Sequence, residues 1–92
     1  MNTLFPLPER NETRLERAKR EHCIWTHYCY TYDPEDTWMA VKFDNAEELA
    51  EPLKTYSSNC RIYAESGRTA GGKTEAEAVI NLGKQCGLKI TL

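Results

Sequence analysis

Residues 67–74 read Gly-Arg-Thr-Ala-Gly-Gly-Lys-Thr and satisfy the phosphate-loop pattern G-x-x-x-x-G-K-[ST]. In such a loop, glycines let backbone N–H groups wrap a phosphate, and the lysine and the following helix N-terminus add positive charge. Arg68 and Lys73, together with Arg61, are therefore candidate contacts for RNA or its phosphates. Nucleotide hydrolysis asks for more, because a further acidic residue on a parallel strand must hold Mg²⁺. After Thr74 the chain contains no aspartate, and Glu75 and Glu77 fall on the helix itself. A Gly-rich turn entering a Thr-capped helix produces the same pattern by structural need alone. The segment is expected to touch a phosphate backbone or to be a plain turn, and not to hydrolyse a nucleotide.

Residues 22–29, His-Cys-Ile-Trp-Thr-His-Tyr-Cys, gather both histidines and two of the four cysteines. On a strand, Cys23, His27 and Cys29 share one face and His22 lies on the other. A zinc site would draw its fourth ligand from Cys60 or Cys86, but no CxxC or HxxxH spacing supports one. The thiols are expected to be reduced and to pack as small hydrophobes. No serine or acid stands at a motif spacing from either histidine, so no nucleophile arrangement is formed. No catalytic residue, metal or cofactor is nominated, and the chain is read as non-enzymatic.

Charge is the third feature with chemical content. The net charge of −2 conceals strong segregation. Residues 9–21 carry five bases and four acids; residues 33–51 carry seven acids and one base; residues 52–92 carry six bases and three acids. Half of all acids thus fall in one stretch: Asp33, Glu35, Asp36, Asp44, Glu47, Glu48 and Glu51. A patch of this kind suits a basic surface on a partner. Asp33, Glu35, Asp36, Glu47, Glu48 and Glu51 are candidate anionic contacts, with Tyr30, Tyr32 and Trp38 as aromatic anchors beside the turn.

These groups must be positioned by a small fold. At 92 residues the chain is expected to be one domain with one modest core. The prolines of Leu4-Phe5-Pro6-Leu7-Pro8 forbid a helix, so residues 1–10 read as an extended arm. Thr13 with Glu16 forms a capping box for a helix over 12–21, with a thin apolar stripe of Leu15 and Ala18 and an expected Glu16–Arg20 pair. Residues 22–32 and 37–43 alternate and flank Asp33-Pro34-Glu35-Asp36, which predicts a hairpin. Asp44 is expected to cap a helix with Ala46, Leu49, Ala50 and Leu53 facing the core; Pro52 should end or kink it. Residues 59–65 read as a third strand, with Cys60, Ile62 and Ala64 inward and Arg61 and Tyr63 outward. Thr74 and Glu77 open a last helix that buries Ala76, Val79, Ile80 and Gly83, and Gly87 closes it. Leu88, Ile90 and Leu92 predict a final strand.

The expected architecture is α/β (α+β): a two-layer sandwich of a four-stranded, mainly antiparallel sheet with two helices on one face and a short N-terminal helix. The opposite face would then display Trp38, Lys42, Arg61, Tyr63 and Lys89, with one of the two aromatic rows of the first strand. Aromatics interleaved with bases on an open sheet can hold single-stranded nucleic acid. A small nucleic-acid- or phosphate-binding protein, using this face and the Gly67–Thr74 loop, is the alternative function. No apolar run approaches a membrane span, and Met1–Arg10 lacks the apolar region of a secretory signal. Neither a membrane nor a small-molecule substrate is expected.

The stretch from Glu21 through Trp38, EHCIWTHYCYTYDPEDTW, and the ending TEAEAVINLGKQCGLKITL resemble the small phage-encoded anti-CRISPR proteins directed at type I-F systems. The resemblance implies a viral protein made early in infection, in the cytoplasm of the bacterial host. It implies a stoichiometric inhibitor that binds the RNA-guided surveillance complex and keeps it from engaging target DNA. Its partners would be the proteins of that complex. Contact of its guide RNA by Arg61, Arg68, Lys73 and the glycine loop is a separate expectation, from those residues and not from the resemblance. No catalytic residue follows from the resemblance. The acidic stretch is compatible with it, since such a surface can occupy a basic channel that normally holds DNA.

Overall fold

The computed structural model describes residues 12–29 and 37–92. Seven elements follow one another: α1 (Arg14–Glu21), β1 (Ile24–Tyr28), β2 (Trp38–Lys42), α2 (Ala46–Ala50), α3 (Pro52–Glu65), β3 (Thr69–Gly72) and α4 (Glu75–Cys86). The fold is α+β, with a three-stranded antiparallel sheet in the order β1-β2-β3. Residues 1–11 and 30–36, which hold the expected arm, the turn and the end of the first strand, lie outside the described residues.

Local signals set the helix ends. Thr13 accepts from the Glu16 N–H at 3.0 Å while Glu16 accepts from the Thr13 N–H at 3.0 Å, a complete capping box. Because Glu16 is committed to the cap, Arg20 turns to Glu12 instead and donates to both its oxygens, at 2.8 and 3.0 Å. That corrects the expected Glu16–Arg20 pair. Asn45, not Asp44, caps α2, accepting from the Glu48 N–H at 2.9 Å. Pro52 sits at the start of α3, where a missing N–H costs nothing. Gly87 closes α4 with φ of 73°.

Hairpin register pairs Trp25 with Val41 and Thr26 with Ala40, so alternate residues face opposite sides of the sheet. Ile24, Trp38, Ala40 and Ala70 face α4, where they meet Ala78, Val79 and Leu82, with Leu15 of α1 alongside. Trp25, Met39, Val41 and Phe43 face the other way and are covered by Tyr56 and Tyr63 of α3. The Tyr63 and Phe43 rings meet edge-on at 5.4 Å, and Tyr56 lies 5.6 Å from Trp25. Helices therefore cover both sides of the sheet, and the expected two-layer sandwich with one open face is not what forms.

Two expected strands are also absent. Residues 59–65 belong to α3, which kinks at Asn59. The alternation in that stretch is overridden by a longer helical stripe: Pro52, Tyr56, Asn59 and Tyr63 recur at i, i+4, i+7 and i+11. The inward set is inverted accordingly. Tyr63 is 4% exposed, whereas Cys60, Ile62 and Ala64 face solvent. Residues 88–92 form no strand. The chain turns back at Gly87, with the Leu88 N–H donating to the Gly83 carbonyl at 2.7 Å. Leu88 and Ile90 then pack on the core beside α4.

The third strand instead lies within the phosphate-loop pattern. Lys42 N–H donates to Arg68 C=O, so the antiparallel ladder points the Thr69 and Gly71 carbonyls to the free edge. Asn81 and Gln85, four apart on α4, reach them: Asn81 Nδ2 donates to Gly71 at 2.8 Å and Gln85 Nε2 to Thr69 at 2.7 Å. An exposed edge that could recruit another strand is thereby partly occupied.

Candidate functional site

Three groups of residues carry the functional expectations: the Gly67–Thr74 segment, the acidic α2–α3 junction and the aromatic residues of the sheet. The first is built as structure. Gly67 (φ 73°) turns the chain out of α3, and residues 69–72 are sheet. A Cβ at Gly72 would lie 2.6 Å from the Ala78 nitrogen, so glycine is needed there because α4 crosses directly over β3. The α4 N-terminus, where a phosphate would dock, is filled by the chain's own groups. Thr74 Oγ1 accepts from the Glu77 N–H at 3.1 Å, and Glu77 Oε1 accepts from the Lys73 N–H at 2.8 Å. Carboxylates at Glu75 and Glu77 complement the helix dipole in place of an anionic ligand.

Arg61, Arg68 and Lys73 do not converge on one ligand position. Arg61 is exposed on α3. Arg68 pairs with Asp44 and lies over the Tyr63 ring at 5.4 Å. Lys73 is exposed beside the α4 cap. Burial pushes the Tyr63 hydroxyl up, with Glu48 and Asp44 adding to it against the opposing Arg68 charge.

Of the acidic candidates, Glu47, Glu48 and Glu51 line one shallow groove of about 310 Å³ with Lys54, Thr55 and Ser58. Glu47 and Glu51 face solvent. Glu48 is half-buried and accepts from the Asp44 N–H at 2.9 Å, which makes it part of the turn into α2. Lys54 offsets Glu51 only at 3.9 Å between exposed ends, a contact that contributes little. Leu53, next to the groove in sequence, is 63% exposed; its expected core position is lost because the new helix at Pro52 turns it outward. Tyr30, Tyr32, Asp33, Glu35 and Asp36 lie outside the described residues. Trp38 is half-buried against the first core cluster and meets the exposed Tyr28 edge-on at 5.4 Å.

Sulfur and imidazole groups are dispersed. All four cysteines are free thiols, and burial pushes the Cys29 thiol up, away from the thiolate needed by a nucleophile or a metal ligand. Tyr56 Oη donates to Met39 Sδ at 3.7 Å. His27 stacks on Trp25 at 5.2 Å. Among the described residues no three His, Cys, Asp or Glu side chains are grouped to hold a metal, and no helix is long and apolar enough to cross a membrane.

A further feature is not legible in the order of the residues. A cleft of about 340 Å³ lies between α1 and the C-terminal segment, with Arg14, Arg17, Glu21, His22 and Lys89 on its walls. The i, i+3 spacing of Arg14 and Arg17 was visible; that Lys89 joins them follows from the turn at Gly87. No protein-family model matches this chain, and no curated protein or solved structure matches it either.

Proposed function

We propose that the chain is a non-enzymatic inhibitor that binds the type I-F CRISPR surveillance complex in the bacterial cytoplasm and blocks its recognition of target DNA. The reading starts from the likeness of residues 21–38 and 74–92 to anti-CRISPR proteins. It is supported by the α2–α3 junction, where solvent-facing Glu47 and Glu51 border one groove and Leu53, two positions after Glu51, is exposed. Solvent-facing carboxylates along one groove suit a partner surface that is basic and evolved to hold a polyanion. Such a surface acts by occupying a channel, and it needs no reacting group.

Co-purification with an intact type I-F complex, followed by a target-DNA binding assay, tests the proposal. The unmodified chain is expected to co-elute with the complex and to abolish DNA binding at a near-stoichiometric ratio. Glu47→Lys with Glu51→Lys is expected to weaken inhibition at least tenfold. No co-elution with the complex refutes the proposal, and full inhibition by the doubly reversed variant refutes the acidic mechanism.

A further inference from the structure

Among the described residues, the walls of the cleft between α1 and the C-terminal segment carry an excess charge of sign opposite to that of the whole chain. Arg14, Arg17 and Lys89 face one carboxylate, Glu21, leaving a formal local +2 from these four side chains, in a protein of net −2. The other two bases of α1 are committed elsewhere: Lys19 donates to Glu75 at 2.7 Å, and Arg20 grips Glu12. Arg17 reaches Glu12 only at 3.8 Å and remains largely exposed. Neither Arg14 nor Lys89 has a carboxylate partner among the described residues. Three cations with one carboxylate among them still repel on balance, and a concave surface concentrates their field. An anion entering the cleft relieves that repulsion.

The lining also holds the apolar Ala18 and Ile90, and Thr91, whose hydroxyl can donate to a bound anion. Two guanidiniums one helical turn apart present planar donor pairs, a geometry suited to phosphate oxygens. The volume exceeds what a single phosphate fills. We infer that this cleft binds a small ligand bearing two or more linked phosphates. The phosphate chemistry suggested by the Gly67–Thr74 pattern is thus reassigned to a different end of the molecule, independently of any inhibitory role.

Inorganic pyrophosphate is the probe, titrated into the full chain at low ionic strength and followed by amide chemical shifts, with sulfate as control. Binding with a dissociation constant on the order of 0.1–1 mM is expected from a few exposed charged contacts. Shifts should centre on residues 14–22 and 88–91. Arg14→Gln with Lys89→Gln should weaken binding at least tenfold, whereas Lys73→Ala should leave it unchanged. All replaced residues are solvent-facing, and unchanged spectra elsewhere verify folding. The inference is overturned if pyrophosphate produces no saturable shifts, if sulfate binds equally well, or if Lys73→Ala rather than the cleft variant abolishes binding. Binding of a single-stranded RNA oligomer without binding of pyrophosphate also overturns it.

Discussion

Glu75 joins three elements through one oxygen, and replacing it is the most quantitative test of how the fold is held. At the first position of α4, its Oε2 accepts from Lys19 Nζ of α1 at 2.7 Å and from Thr26 Oγ1 of β1 at 2.6 Å. Both ion-pair partners are only about a quarter exposed, at 27% and 28%, so solvent screens the pair incompletely. Hydrogen bonds to a charged group contribute about 1.5–3 kcal/mol each when buried. Scaled for partial exposure, Glu75→Ala should cost about 2–3 kcal/mol, including the Lys19 ammonium left without its partner. For a domain of this size the urea m-value is roughly 1–1.5 kcal/mol/M, so the midpoint should fall by about 1.3–3 M. Glu75→Gln retains an acceptor and loses the charge, and should cost about 1 kcal/mol.

The pH dependence supplies the sign. Partial burial pushes the Glu75 carboxyl up, but the hydrogen bonds from Lys19 and Thr26, with the Lys19 charge, outweigh it and hold the group below its ordinary value. A carboxyl depressed in the folded state contributes stability above its unfolded pKa, about 4.3, and loses it as pH falls through the lower native value. The gap between the unmodified chain and Glu75→Gln should therefore be constant from about pH 7 to 5 and should close below about pH 4. Urea unfolding followed by the fluorescence of Trp25 and Trp38, one in each core cluster, reads it directly. An unchanged midpoint at pH 7, or a gap that persists undiminished to pH 3, would refute the bridge.

Further outcomes follow from other contacts. Gly72→Ala should destabilise by about 2 kcal/mol or more in thermal unfolding, since its Cβ meets backbone rather than a movable side-chain end; a phosphate-loop role would instead leave folding intact. Tyr63→Ala should cost about 3–5 kcal/mol by removing the ring between Phe43, Tyr56 and Arg68, and a loss below 1 kcal/mol would show that α3 is not anchored there. Asn81→Ala with Gln85→Ala should release the β3 edge carbonyls, lowering stability by about 2 kcal/mol and speeding amide exchange across residues 69–72.

Much of the local structure was legible in the residues. Thr13 with Glu16, and Thr74 with Glu77, marked helix starts because a hydroxyl followed three positions on by a carboxylate satisfies orphan N–H groups within a single turn. The hairpin of residues 24–28 with 38–42 was legible from alternation. Less so was the face of α4. Ala78 and Leu82 are buried with Val79 and Gly83, while Ala76 and Ile80 are only half-buried, a rotation that depends on how α4 lies over Gly72. The third strand was misplaced because Thr-Ala-Gly-Gly has almost no strand-forming side chains; pairing with β2 and the amides of α4 make it a strand.

What the amino-acid order determined by itself was much of what a single turn can satisfy, namely the caps at Thr13 and Thr74, the break at Pro52 and the reversal at Gly87, together with the clustering of acids in residues 33–51. The tertiary structure decided the rest. Residues 59–65 alternate well enough for a strand, and the helical stripe that competes with that alternation is decisive where Tyr56 and Tyr63 dock on Trp25 and Phe43 and close the sheet face. The Gly67–Thr74 pattern names a phosphate loop, yet its residues 69–72 pair with β2 as a strand and Glu77 fills its anion position. Arg14 and Lys89 are 75 positions apart, and the turn of the chain at Gly87 is what sets them on one cleft. Short-range hydrogen bonds are specified by neighbours, whereas faces, edges and charge convergence depend on which distant surfaces exclude water together.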